Sequence, residues 1–303
     1  MDVTLKLGTR GSPLALTQAN MVRRELAAAH GWAEDAIEIV TIKTSGDRIQ
    51  DRALAEVGGK ALWTKELDLA LEEGRIDFAV HSMKDVETIR PDEIVIAAML
   101  PRADVRDRLI GPASVEAIPQ GGRVGTSSPR RSAQLLRLRP DLRMVLFRGN
   151  VDTRLARLRD GEAEATLLAA AGLDRLGKSE IGAAIPLDTM LPAPAQGAVG
   201  IETLRSNERV RELLAAIDHA LTTRCVRTER ALLARLGGDC RSPIAALAVR
   251  DGADMLLRAE ILSPDGQLQQ GGEARVGDAS EGADLAAELL GRAAPELRAH
   301  FAG

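Results

Sequence analysis

Tyrosine is absent from this chain of 303 residues, and aromatic residues of every kind make up only 2% of it. Proteins that grip single-stranded nucleic acid stack bases on aromatic faces, so the shortage argues against that class. Cysteine is nearly absent too, with Cys225 and Cys240 standing alone. Two thiols make no disulfide framework, and they fit a reducing compartment. No apolar run approaches membrane-spanning length, and the first residues lack the apolar stretch of a signal peptide. The expectation is a cytoplasmic protein with no membrane partner. A formal charge of -4 gives no global pull toward nucleic acid or anionic lipid. Lysine is scarce, occurring only at Lys6, Lys43, Lys60, Lys65, Lys84 and Lys178, so arginine carries most of the positive charge. Two readings of that bias are open. One is genomic base composition; the other is a use for the planar fork that binds carboxylate and phosphate bidentately.

What is present is globular in character, 45% hydrophobic and 28% charged, and too apolar for a disordered chain. The length calls for two or three domains. Strand patterns fall at 3–7, 37–42, 78–80 and 94–99, alternating with helical patterns at 13–26 and 60–71. This predicts an α/β domain with a mainly parallel sheet. A second alternating set follows Pro101, with strands at 108–110, 123–125, 144–147 and 165–168 and helices at 129–138 and 151–159. Pro186, Pro192 and Pro194 then mark a crossing between domains. The strand at 198–201 follows that crossing and is expected to return to the first sheet. Beyond a helix at 222–236 the character changes. Strands at 245–249, 255–261 and 268–276, with the turn Ser263-Pro264-Asp265-Gly266, predict a small antiparallel sheet closed by a helix at 283–290. The expected fold class is α/β, with two hinged lobes like two-lobed solute-binding proteins plus a small C-terminal α+β domain. The expected division is 1–100 with 195–220 as lobe 1, 101–194 as lobe 2, and 221–303 as the C-terminal domain.

Several segments carry chemistry. Gly172-Leu173-Asp174-Arg175-Leu176-Gly177-Lys178-Ser179 fits the phosphate-loop pattern GxxxxGK[ST], which needs a strand before it and a helix after it. Here 169–176 itself reads as helix, Gly177 as its stop, and Gly182 and Pro186 leave no room for a following helix. Gly125-Thr126-Ser127-Ser128-Pro129-Arg130-Arg131 ends a strand and opens a helix. Its free N–H groups, hydroxyls and arginines suit an anion, while plain N-capping by Ser128 with solvated arginines explains it equally well. Arg148-Gly149-Asn150 through Arg154, and Thr9-Arg10-Gly11-Ser12-Pro13, repeat this corner. In α/β sheets ligands bind beyond the carboxyl ends of strands, so the three corners point to a cleft holding several negative charges. His81-Ser82-Met83-Lys84-Asp85 also follows a strand. Lys84 and Asp85 fit a surface ion pair worth little, or a cleft carboxylate that steadies a developing cation and moves protons. His81 reads as a catalytic base or as a structural, hydrogen-bonded imidazole. Cys240 sits in the loop Gly237-Gly238-Asp239-Cys240-Arg241-Ser242-Pro243, better placed for covalent chemistry than Cys225 in its helix. No partner stands at metal-ligand spacing, so no metal is expected.

Taken in order, Gly8-Thr9-Arg10-Gly11-Ser12-Pro13-Leu14-Ala15, Gly58-Gly59-Lys60, His81-Ser82-Met83-Lys84-Asp85, Gly125-Thr126-Ser127-Ser128, Arg148-Gly149-Asn150-Val151, Ala195-Gln196-Gly197-Ala198 and the Cys240 loop resemble the porphobilinogen deaminase (hydroxymethylbilane synthase) family. The resemblance implies a monomeric transferase of tetrapyrrole, porphyrin and heme biosynthesis, with three domains. It implies a dipyrromethane cofactor, one per chain, held by a thioether at Cys240. Four porphobilinogen units are joined head to tail on it with loss of ammonia, and hydroxymethylbilane is released. It assigns Asp85 to catalysis. It assigns Ser82, Lys84, Asp85, Thr126, Ser128, Arg130 and Arg131 to the cofactor, and Arg10, Ser12, Arg148, Arg154 and Arg175 to the substrate. The chemistry suits these residue types. Each added ring brings two carboxylates for arginine forks, and loss of ammonia leaves an electron-poor azafulvene whose attack makes a transient cation for Asp85 to steady.

Three positions depart from the family pattern. Asp239 stands where glycine is usual, and a carboxylate beside Cys240 is expected to disfavour its thiolate and slow attachment. Glu87 replaces a usual proline and is expected to loosen its loop. Trp63 replaces a usual phenylalanine and keeps a ring for stacking on a pyrrole. The charged stretch 46–59 is expected to form a mobile lid. Two rivals remain: a solute-binding module without chemistry, and a phosphate-loop nucleotide hydrolase dependent on Lys178.

Overall fold

The structure is a computed structural model that describes residues 5–45 and 63–301. The expected lid at 46–59 and the Gly58-Gly59-Lys60 motif lie outside the described residues. The chain forms two compact units. The first comprises Met1–Gln50, Gly59–Ala103 and Gly197–Thr223; the second comprises Asp51–Gly58, Asp104–Gln196 and Arg224–Gly303.

In the first unit, β1 (Leu5–Thr9) lies between β2 (Ile37–Thr41) and β3 (Phe78–Ser82), parallel to both. Helix α1 (Pro13–His30) begins where Ser12 accepts a hydrogen bond from the Ala15 N–H at 3.3 Å and Pro13 supplies a preset backbone angle. Its buried stripe of Ala19, Val22 and Leu26 packs with Leu7, Phe78, Val80 and Ile201. Helix α2 (Lys65–Glu72) buries Leu67 and Leu71 with Ile42 and Ile76. The sheet is completed by β4 (Ile94–Met99) and β10 (Val199–Leu204), in the order β2-β1-β3-β10-β4. The strand after the proline-rich crossing does return to the first sheet. It enters antiparallel to both neighbours, so the sheet is mainly parallel, as expected, with one reversed strand among four that run the same way. Helix α6 (Glu208–Ala215) covers it with Val210 and Leu214.

The second unit holds two sheets. In the first, β5 (Asp107–Ile110), β6 (Arg123–Thr126), β7 (Arg143–Leu146), β8 (Ala165–Ala169) and β9 (Ala183–Ala184) are ordered β7-β6-β8-β5-β9. Helix α3 (Pro129–Leu138) follows β6, α4 (Val151–Arg159) follows β7, and α5 (Ala170–Arg175) follows β8. Leu109, Val124, Leu135, Leu167 and Met190 form the core. The second sheet is an antiparallel meander of β11 (Ile244–Asp251), β12 (Asp254–Leu262) and β13 (Gln269–Val276). Its last turn closes where the Gly266 N–H donates to the Ser263 carbonyl at 2.9 Å. Helices α7 (Ala220–Arg235) and α8 (Gly282–Arg292) contribute Leu232, Leu285 and Leu289 to the core beneath it. Within this unit Leu191, in the segment after β9, packs with Ala245 and Leu247 of β11.

Ala195, in the Ala195-Gln196-Gly197 motif, has φ 62°, the left-handed region that an alanine enters at a cost of about 1–2 kcal/mol. Buried Glu229 holds it there. Its Oε2 accepts from the Ala195 N–H at 2.6 Å while Oε1 accepts from the Ala248 N–H at 2.8 Å.

Candidate functional site

In the first unit a cavity of about 60 Å³ opens at the carboxyl ends of β1 and β3, and Arg10, Ser12, Gln18, Trp63, Ser82 and Asp85 are among the side chains lining it. Two strand-to-helix corners that the sequence pointed to therefore meet in space. Asp85 stands half-buried in a 3-10 turn, Met83–Asp85, directly after β3. The turn is fixed from below, because the Met83 N–H donates to the Ala198 carbonyl at 3.1 Å and the Met83 side chain lies flat against Gly200. A Cβ on Gly200 would come within 2.0 Å of the Met83 sulfur, so a larger residue there would force the Met83 side chain to move. Ser82 exchanges hydrogen bonds with Gln18, at 2.8 Å from the Gln18 amide nitrogen. Gln18 is buried in α1. It was not singled out in the sequence, where it reads as one more polar position of an amphipathic helix. The Arg10 guanidinium lies over the Trp63 ring, 3.9 Å from its centroid, within cation–π range. Lys84 is half-buried.

His81 is the structural imidazole rather than an exposed base. It is 6% exposed, and its Nε2 lies 3.2 Å from Oε2 of Glu202, a fully buried residue of β10. Arg90 donates to both oxygens of Glu202 and also pairs with Asp68 and Glu87. Burial pushes the Glu202 carboxyl up. The adjoining His81 and the Arg90 guanidinium outweigh it and hold the carboxyl down to about 2. In Asp68 burial prevails over Arg90, and its carboxyl rises above the ordinary value. The Glu87 carboxylate accepts from the Thr64 hydroxyl at 2.6 Å and from Arg90 at 2.9 Å.

In the second unit, Thr126 is buried at the end of β6 and its hydroxyl accepts from the Ser128 N–H at 3.1 Å. Ser128 caps α3 as expected. Arg130 and Arg131 are not solvated. Both are buried, each with a nitrogen 2.7 Å from an oxygen of the buried Asp107. Gln196, in the motif beside Ala195, donates to Asp107 at 2.9 Å. Asp107 was legible only as the first residue of a strand, so its role as shared counter-ion was missed. Burial pulls Arg130 below its ordinary value, with Asp107 opposing. Nε of Arg130 is buried and makes no hydrogen bond among the described residues. Arg148 is buried at the end of β7, and Arg154 donates from Nε to the Gly149 carbonyl at 3.1 Å. Arg175 is half-buried near the end of α5, and burial pulls it below its ordinary value. Gly177 ends that turn with φ 68°, no helix follows, and Lys178 pairs with Asp152 at 2.8 Å. The phosphate-loop reading fails on this geometry. Cys240 is exposed in the loop after α7, and Cys225 is buried in that helix.

Fold and site together define an α/β protein whose first unit carries a small cavity with one carboxylate, Asp85, beside Arg10, Ser12 and Ser82. The comparisons with known proteins narrow that class. A family model described as "Porphobilinogen deaminase, dipyromethane cofactor binding domain" matches residues 5–212, and one for the C-terminal domain of porphobilinogen deaminase matches residues 223–292. The porphobilinogen deaminase of Sphingopyxis alaskensis is 58% identical over 99% of this chain and 98% of its own. That of Paracoccus denitrificans is 53% identical over 95% and 94%. Among solved structures, the Lactococcus lactis GlnP substrate binding domain 2 gives a TM-score of 0.43 at 12% identity, over 78% of this chain and 91% of that one. The chain belongs to the porphobilinogen deaminase family.

The side chains present fit the cofactor for which that domain is named. An exposed thiol is available for a thioether, and buried guanidinia, one with an unused Nε donor, suit the acidic side chains of a pyrrole pair. Among the described residues no group of three or more His, Cys, Asp or Glu could hold a metal ion, and no helix is long and apolar enough to cross a membrane.

Proposed function

We propose that this chain deaminates porphobilinogen and joins four units head to tail, releasing hydroxymethylbilane, with Asp85 as the catalytic carboxylate and Cys240 as the attachment point of the dipyrromethane. Membership of the family supports the transferase chemistry. The placement of Asp85 in a lined cavity beside Arg10, Ser12 and Ser82 is the observation that carries the residue assignment. The dipyrromethane, when bound, supplies the nucleophilic pyrrole carbon that starts the chain.

The remaining work falls to the protein's own residues. Arg10 and Ser12 take substrate carboxylates at the mouth of the cavity, the arginine as a charged fork and the serine as a hydroxyl donor. Asp85 faces the substrate methylene, where departure of ammonia and attack on the carbon both place positive charge on a pyrrole. A fixed carboxylate in a half-buried recess steadies that charge more than water would. It also accepts the proton that restores aromaticity. Gln18 holds Ser82, and the floor made by Met83 and Gly200 holds the Asp85 turn, so the geometry is set before substrate arrives. Ser82, Lys84, Thr126, Ser128, Arg130 and Arg131 serve the cofactor, and Arg148, Arg154 and Arg175 serve substrate carboxylates. With Asp107 neutralising Arg130 and Arg131 in part, their role is to supply a fixed positive field. We further assign 1–100 with 195–220, 101–194 and 221–303 as three domains of a cytoplasmic monomer.

The intact mass of the purified protein tests the reading. An excess equal to two porphobilinogen units less two ammonias, mapped to Cys240, is expected. A bare polypeptide that gains nothing on incubation with porphobilinogen would favour an anion-binding module without chemistry.

A further inference from the structure

Glu260 is a buried carboxylate in β12 that the proposed chemistry does not use. It stands where the C-terminal sheet meets α3, the helix that opens with Arg130 and Arg131. The tip of the β12–β13 hairpin lies against the main chain of that helix. A Cβ on Gly266 would come within 2.3 Å of the Ala133 carbonyl oxygen and 2.6 Å of the Arg137 nitrogen, and Gly266 has φ 71°. Both obstacles are main chain, which cannot swing aside, so glycine is what permits this approach. From that seat Glu260 reaches the helix. Its Oε1 accepts from the Gln134 amide nitrogen at 2.5 Å, and its Oε2 accepts from the Gln269 amide at 2.7 Å. The Gln134 nitrogen also donates to the Leu191 carbonyl at 3.0 Å. The Gln134 oxygen accepts from Nη1 of Arg130 at 2.8 Å, and Nη1 donates to the Leu191 carbonyl as well, at 2.9 Å.

The direction of these bonds matters. An amide offers donors on one side and an acceptor on the other, whereas a carboxylate only accepts. Between Glu260 and the Leu191 carbonyl, the fully buried Gln134 amide is satisfied only with its nitrogen toward them, which turns its oxygen to Arg130. Nη2 of Arg130 lies 2.7 Å from Asp107, so both terminal nitrogens have partners. Nε is buried and makes no hydrogen bond among the described residues. We infer that Glu260 and Gln134 are positioning residues for the cofactor: the carboxylate fixes the Gln134 amide, and the amide holds Nη1 of Arg130 so that Nε is left for an acidic side chain of the dipyrromethane. The inference rests on the reading of Arg130 as a cofactor residue. Glu260 touches neither guanidinium and acts through Gln134. Its charge still reaches Arg130, where burial pulls the guanidinium down and Asp107, then Glu260, oppose the pull.

The test uses the full chain made in a host that forms no porphobilinogen. Porphobilinogen is added at increasing concentration, and intact mass follows the loading of Cys240. Glu260→Leu is expected to raise the half-saturating concentration about threefold or more and to leave the limiting rate nearly unchanged, since Asp85 and Cys240 are untouched. Glu260→Gln is expected to load like the parent chain, because its oxygen can still take the Gln134 amide while exposed Gln269 turns to meet its nitrogen. A double variant, Gln134→Met with Glu260→Met, removes donor and acceptor together, a change close to neutral for stability. It is expected to unfold in denaturant near the parent midpoint and still to need about threefold more porphobilinogen. An unchanged half-saturating concentration in the double variant, a loss confined to the limiting rate, or a Glu260→Gln chain as impaired as Glu260→Leu would overturn the inference. Arg130→Gln keeps the two readings apart. If it loads like the parent chain, the cofactor reading of Arg130 fails and the inference falls with it. If it is impaired and the double variant is not, the inference alone fails.

Discussion

The two units each bury a cluster of charge, and the clusters are built with opposite signs. In the first, one guanidinium, Arg90, is ringed by the carboxylates of Asp68, Glu87 and Glu202, with His81 against the last. In the second, one carboxylate, Asp107, is shared by two guanidinia, Arg130 and Arg131. Buried charges survive only when paired, so both clusters are structural necessities as much as devices. Their excess differs, however. The anion-rich cluster adjoins the cavity that holds Asp85, through His81. The cation-rich cluster starts the helix that carries the hydroxyls of Thr126 and Ser128 at its head. A chemistry that makes a cation at one point and must hold many carboxylates at others asks for this division.

The sharpest break of that comparison is at Asp85 itself. Asp85→Ala is expected to keep the fold and lose activity by a factor of about 100 to 10,000; near-normal turnover in a porphobilinogen consumption assay would remove its role. Next comes Asp107→Asn. It leaves two buried guanidinia without their common counter-ion, and a loss of about 3–5 kcal/mol is expected in denaturant unfolding. Glu202→Gln should cost less, about 1–3 kcal/mol, because Asp68 and Glu87 still face Arg90. If the two substitutions cost the same, the clusters do not differ as their composition suggests.

Acid gives a third separation. The Glu202 carboxyl is held down to about 2 in the folded chain, against an ordinary 4.5. A depressed carboxyl contributes stability that is present above the unfolded value and lost as pH falls from about 4.5 toward 2. Asp68, raised in the same cluster, opposes part of that slope. Acid unfolding of Glu202→Gln should therefore be flatter over this window than that of the parent chain. A smaller effect is expected from Gly200→Ala. The added methyl displaces Met83 and shifts the Asp85 turn, so kcat should fall severalfold with only about 1–3 kcal/mol of stability lost. The smallest is Lys178→Ala, which removes one surface ion pair worth up to about 1 kcal/mol and should leave turnover unchanged. Loss of activity there would reopen the phosphate-loop reading.

Much of the fold was legible because its signals are local. The helices Pro129–Leu138 and Val151–Arg159 fall where Ser128 and Asn150 cap them, and the turn at Ser263-Pro264-Asp265-Gly266 closes as its residues require. The corners bearing Arg10, Ser12 and Asp85 were legible as strand ends. Their meeting in one cavity was not, since β1 and β3 are joined only by pairing across the sheet. Gln18 escaped notice because a buried glutamine on an amphipathic helix has no signature until its partner, Ser82, is placed.

By itself the sequence determined the caps, the turns, the apolar stripes, the exposed position of a loop cysteine and the ordered motifs of the family. These depend on neighbours a few residues away. Tertiary structure decided that β10 runs antiparallel between β3 and β4, that Asp107 serves two arginines, and that His81 belongs to Glu202. Which charges meet, and how far burial strengthens them, depends on distances and on water excluded by distant parts of the chain. No window of local sequence contains either.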